Sequence, residues 1–154
     1  MWVQLTHFEF DRSVDDRSVL AELVASPGYV HDYASPFDNE APVIEPALHG
    51  RWFRECIQAD SFEPWTASSA QDAIRAWADN QEWTEPGYRQ PPDVHERLGT
   101  IYALLHTGSV FKLQNPGVEA EHEYGWVTGG MGFHEFVAID RGSERIHVIV
   151  ASDD

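Results

Sequence analysis

The chain has one cysteine, Cys56, and one lysine, Lys112. A lone cysteine excludes an intrachain disulfide. Cations are scarce altogether: ten Lys and Arg stand against 26 Asp and Glu, for a formal net charge of −16. The excess is spread along the chain, roughly −7 over residues 1–60, −4 over 61–110 and −5 over 111–154, so it is not an acidic tail on a neutral body. Such a field repels phosphate backbones and anionic bilayers, which disfavours nucleic-acid and membrane-surface partners and favours a basic protein partner. No stretch approaches the ~18 apolar residues of a membrane span. The start, MWVQLTHFEFDR, has no basic segment followed by an apolar one, so the expected location is cytoplasmic. Internal repeats and low-complexity tracts are missing. So are G-x-S-x-G, H-E-x-x-H, C-x-x-C and the dinucleotide-binding glycine pattern, and no cofactor is implied. The Gly129–Gly132 cluster lacks a P-loop lysine and precedes a strand, which makes it a turn.

What is present is apolar and aromatic. Hydrophobic residues make up 42% of 154 residues, with six Trp, eight Phe and five Tyr. That is enough to build a core despite the charge, and it predicts one globular domain over 1–154.

The most readable segment is C-terminal: FHEFVAID, then RGSE, then RIHVIVA. It predicts a β-hairpin closed by a two-residue Gly142-Ser143 turn of type II′, with glycine at positive φ. Pairing then sets Arg141 opposite Glu144, Asp140 opposite Arg145, Ala138 opposite His147, Phe136 opposite Ile149 and His134 opposite Ala151. The first two are opposite-charge pairs that a one-residue slip would break. Alternation places Phe133, Glu135, Val137, Ile139, Ile146, Val148 and Val150 on one face. His134, Phe136, Ala138, His147, Ile149 and Ala151 take the other. The first face is the more apolar and is expected to meet the core, with Glu135 as its exception.

Upstream, Trp2–Phe10 alternates as a strand and is expected to cover the hairpin's final run, which is too continuously apolar for an edge. Ser13 opens a capping-box-like S-x-x-D with Asp16, ahead of a helix that stops near Ser26. Residues 27–46 are loop-like. Leu48, Trp52, Phe53, Cys56 and Ile57 form a stripe at helical spacing after Pro46. Ser69 caps a helix through about Asn80, buried through Ala70, Ala73, Ile74 and Trp77. A second loop spans 81–92. Asp93 begins the clearest helix, with Val94, Leu98, Ile101, Tyr102 and Leu105 on its stripe, ended by Gly108. Val110–Leu113 is a short strand and Val118–Val127 alternates. Strand, helices, then strands is not a regular β-α-β alternation. The expected class is α+β, a mainly antiparallel sheet including the C-terminal hairpin, with three to four helices packed on one face.

Few residues carry chemistry. Glu135, His134 and His122 are the catalytic candidates, because a carboxylate on an apolar face must pair or shift its proton affinity. The deduced register separates His134 from His147 by about 13 Å, too far to share a metal ion at about 2.1 Å from each nitrogen. It also turns Glu135 to the opposite face from both, so a site needs donors from another element. Glu119, Glu121 and Glu123 share one face of their alternating segment and read as a solvated edge. Cys56 and His49, seven apart on the expected helix, stand roughly 10 Å apart and make no nucleophile–base pair. The loop aromatics Tyr29, Tyr33, Phe37, Trp83 and Tyr88 lie beside acids and are candidates for a binding surface or pocket lining. Together these favour a non-catalytic acidic protein-binding domain that engages a basic partner, of toxin-neutralising or regulatory type. The alternative is a small enzyme, such as a metal-assisted hydrolase, using Glu135, His134 and His122 in a cleft.

Overall fold

A computed structural model describes residues 2–29, 47–81, 85–122 and 132–152. The C-terminal segment forms β6 (Phe133–Asp140) and β7 (Arg145–Ser152). Their register is the deduced one, with Asp140 opposite Arg145, Ala138 opposite His147, Phe136 opposite Ile149 and His134 opposite Ala151. β1 (Trp2–Glu9) pairs antiparallel with the other side of β7 and so covers it, as its apolar run demands. β5 (Ser109–Leu113) adds to β6, and β4 (Phe62–Trp65) adds to β5. The result is a five-stranded sheet in the order β1-β7-β6-β5-β4 with every ladder antiparallel.

The turn of the hairpin differs from expectation. Four residues, Arg141–Glu144, connect the strands, and the positive φ belongs to Glu144 (57°), not to Gly142. The reason lies in Asp140. Its Oδ1 accepts from the Gly142 and Ser143 amides at 2.9 and 3.2 Å, and its Oδ2 accepts from the Ser143 hydroxyl at 2.7 Å. A side chain that caps the next two amides favours a longer turn. Arg141 and Glu144 therefore do not face each other across strands. Arg141 pairs with Asp16, and Glu144 with Arg12 at 3.6 Å.

Among the described residues, three α-helices flank the sheet: α1 (Asp16–Ala25), α2 (Ala67–Asp79) and α3 (Pro92–Leu105). The expectation of helices on one face holds for α2 and α3. Ala70, Ile74, Trp77, Leu98, Tyr102 and Leu105 from them pack with Phe136, Ala138, Ile149 and Ala151. α1 lies against the other face, where Val19, Leu20 and Leu23 meet Val137, Ile139, Ile146, Val148 and Val150. The central strands are apolar on both faces, so both must be covered. The caps also move. Asp15, not Ser13, accepts the Ser18 amide at 3.1 Å, while Ser13 is held in a turn by Asp11. Thr66 caps α2 by accepting the Ser69 amide at 3.0 Å.

The expected helix over 48–57 is absent. In its place, β2 (Leu48–His49) and β3 (Trp52–Phe53) form a small hairpin, followed by a single 3-10 turn at Arg54–Cys56. Gly50 takes φ +57° in the connection, the left-handed geometry that two-residue hairpins need. The apolar spacing is met without a helix. Leu48 and Phe53 pack with Trp2 and Phe133, while Trp52 and Ile57 join the α1 side of the core. Likewise Val118–Ala120 is a 3-10 turn rather than a strand start, and Glu121 forms one isolated bridge to Trp52. Residues 123–127 of that expected strand lie outside the described residues.

Candidate functional site

Glu135 sits on β6 among valines and isoleucines and is 0% exposed. A carboxylate so placed costs several kcal/mol unless hydrogen bonds replace its water. Two side chains supply them. The Tyr29 hydroxyl donates to Oε1 at 2.5 Å, and His49 Nε2 lies 2.6 Å from Oε2. His49 Nδ1 is 2.8 Å from the Tyr29 carbonyl oxygen, and the two rings stack at 3.8 Å with 19° between planes. The three residues therefore close a ring of contacts, and all three are 0% exposed.

The proton inventory follows from donor and acceptor chemistry. A carbonyl oxygen only accepts, so His49 Nδ1 carries a hydrogen. Tyr29 donates its own. One more proton lies between Nε2 and Oε2, either on the imidazole as an ion pair or on the carboxyl as a neutral pair. In both arrangements the trio is neutral overall, which is the condition for burying it.

Local structure sets each partner. Tyr29 ends the 3-10 turn Pro27–Tyr29 that follows α1, with its amide on the Ser26 carbonyl at 3.0 Å. His49 ends β2, just before the Gly50 turn. Glu135 thus joins the chain at Tyr29 to the chain at His49.

The remaining candidates separate. His122 is buried, but its Nε2 donates to the Gly50 carbonyl at 2.7 Å and its ring lies edge-on to Phe53, so it secures the β2–β3 turn rather than Glu135. Beside it, Arg51 pairs with Glu121 and lies over the Trp52 ring. His134 is on the α2 side of the sheet, 6.3 Å from Trp77 between ring centroids. Tyr88 is half-buried, its hydroxyl 3.4 Å from Gln90 Oε1. Tyr29 is a buried partner of Glu135, not a surface aromatic. Tyr33, Phe37 and Trp83 lie outside the described residues, as does Glu123. Among the described residues, no group of three or more His, Cys, Asp or Glu is placed to hold a metal ion.

His49 is not among the candidates from sequence, where its expected helix sets it only against Cys56; that helix does not form. The usable signal was indirect: a carboxylate on a core face requires donors, and few donors lie in apolar segments.

Most of the cations are engaged within the fold. Arg12, Arg17, Arg51, Arg89 and Arg141 pair with Glu144, Asp60, Glu121, Asp79 and Asp16. Arg54 donates to the carbonyls of Val24 and Ser26 at 2.8 and 2.9 Å. Arg75 lies over the Tyr102 ring and Lys112 over Trp65. Burial holds the Lys112 ammonium below its usual range, partly offset by Glu63. One hollow of about 560 Å³ is lined by Glu9, Asp11, Glu22 and Glu144 with Phe10, Ser143 and Arg145.

No protein-family model matches this chain, and neither a curated protein nor a solved structure matches it. Among the described residues, no helix is long and apolar enough to cross a membrane.

Proposed function

We propose that this chain is a non-catalytic binding domain that recognises a basic protein partner through its carboxylate-rich surface, as toxin-neutralising or regulatory domains do. One observation carries the reading. Asp and Glu outnumber Lys and Arg by 26 to ten, and eight of those ten cations are engaged in contacts within the fold. Glu135, the one carboxylate with a candidate catalytic environment, is buried and bound on both oxygens, which supports a structural role for it.

A partner drawn from a basic protein fraction on the immobilised chain tests this. Its association rate is expected to fall steeply between about 0.05 and 0.5 M NaCl, since steering is screened by salt. Charge reversal at the acidic hollow, Glu9→Lys with Glu22→Lys, is expected to slow association several-fold with little effect on dissociation. Binding indifferent to salt and to these substitutions refutes the reading.

The enzyme alternative now rests on Glu135 with His49, because His134 and His122 do not reach that carboxylate. It requires a route from solvent to Glu135. Loss of a measured hydrolytic activity in Glu135→Gln, in a protein shown to remain folded, would favour it.

A further inference from the structure

Outside the Glu135 network, two histidines are in direct contact across neighbouring strands of the sheet. His7 on β1 and His147 on β7 are Cα partners, and their Nδ1 atoms lie 2.7 Å apart with the rings edge-on. His7 is exposed, while His147 is 4% exposed. We propose that this pair is a proton-operated clasp that holds the N-terminal edge strand on the sheet and loosens it in mildly acidic solution.

The argument begins with donors and acceptors. An Nδ1–Nδ1 hydrogen bond requires one protonated and one bare nitrogen. With both rings neutral, complementary tautomers satisfy it. A first added proton leaves one imidazolium donating to one neutral ring, and the bond persists with charge assistance. A second proton puts hydrogens on both Nδ1 atoms, so the bond is lost and two like charges oppose each other. The pair therefore tolerates one proton and is broken by two.

The surroundings act in the same direction. Among the described residues, the charged groups acting on His147 come from three strands: His7 of β1, Asp140 of β6 and Arg145 of β7. Burial first, then His7 and Arg145, hold the His147 ring below the usual histidine range, and Asp140 opposes them. That carboxylate is already engaged by Ser143 and Gly142 in the turn. As pH falls below about 6.5, His147 takes up its proton more readily with β1 detached than with β1 docked. The clasp's stabilisation is thus full above that value and is lost as pH falls towards the lowered value of the docked state.

β1 is the element able to respond. It lies at the edge of the sheet and its ladder runs to β7 alone among the named strands, whereas β6 and β7 are paired on both sides. Edge elements open at lower cost than the centre of a sheet.

Amide hydrogen exchange reads the effect strand by strand, in chelator so that no metal ion replaces the bridging proton. Protection factors in residues 3–8 are expected to fall several-fold between pH 7.5 and 5.5, with β6 unchanged. His7→Gln, at an exposed position, keeps a group able to donate or accept and cannot take the second proton. It is expected to make the fall clearly smaller, leaving the part that the burial of His147 causes. Imidazole ¹⁵N titration of the native protein is expected to place the His147 midpoint below the ordinary value. Constant β1 protection, an equal fall in His7→Gln, or a His147 midpoint at or above the ordinary value overturns the proposal.

Discussion

Glu135 and His49 are bonded at 2.6 Å across 86 residues of sequence, and neither side chain is exposed. The substitutions that test this pair follow from its proton inventory. Glu135→Gln keeps an oxygen for the Tyr29 hydroxyl and presents an amide hydrogen to a neutral His49 Nε2, while Nδ1–H stays on the Tyr29 carbonyl. The cost is expected to be about 1 kcal/mol. Glu135→Ala removes the shared acceptor of Tyr29 and His49 from the core and is expected to cost about 3–5 kcal/mol. Urea unfolding of the two variants measures the difference. Equal losses would show that Tyr29 and His49 do not depend on that side chain.

Two glycines are required by close approach. A Cβ on Gly50, already at φ +57°, would lie 2.4 Å from Phe133 Cζ. On Gly108 it would lie 1.9 Å from the Ile139 carbonyl oxygen, which is backbone and cannot swing aside. Gly50→Ala and Gly108→Ala are each expected to destabilise by about 2 kcal/mol or more through strain and overpacking. Gly99→Ala, where a Cβ meets nothing within 4 Å, is expected to be neutral or stabilising, as alanine is in a helix. Thermal unfolding of the three variants side by side checks the ranking.

The hairpin turn has its own pH signature. Hydrogen bonds from Ser143, first its hydroxyl and then its amide, and from the Gly142 amide hold the Asp140 carboxyl below its usual range. A lowered folded-state value means the contribution is present above about pH 3.8 and is lost as pH falls through the lowered value. Ser143→Ala is expected to move the Asp140 midpoint back up, as followed by the carboxyl ¹³C shift. An unmoved midpoint would remove the hydroxyl from the account.

Self-repulsion from −16 charges is expected to make this fold more stable in salt. Raising NaCl from about 0.02 to about 0.5 M should raise Tm, with roughly 2–4 °C for each kcal/mol of relief. The surface ion pairs oppose this weakly, because exposed pairs contribute little. A Tm that falls with salt would mean that those pairs, not the excess charge, dominate.

Several features were legible from local pattern. Strand alternation has a period of two, so the order of residues alone determined the β6–β7 register, the face on which Glu135 lies and the burial of β7 beneath another strand. The helical stripes of α2 and α3 were readable in part: Ala70, Ile74, Trp77, Leu98, Tyr102 and Leu105 are buried as the 3.6-residue repeat selects, whereas Ala73, Val94 and Ile101 are only half-buried and Ala78 is buried outside the expected set. Only the tertiary structure decided the rest. An apolar spacing over 48–57 satisfies a helix or a hairpin alike, and the Gly50 turn packed on Phe133 chose the hairpin. The donors to Glu135 arrive from 106 and 86 residues away, a distance over which sequence spacing carries no geometry. His7 met His147 because β1 docked in one particular register on β7, and that register belongs to the sheet rather than to either segment alone.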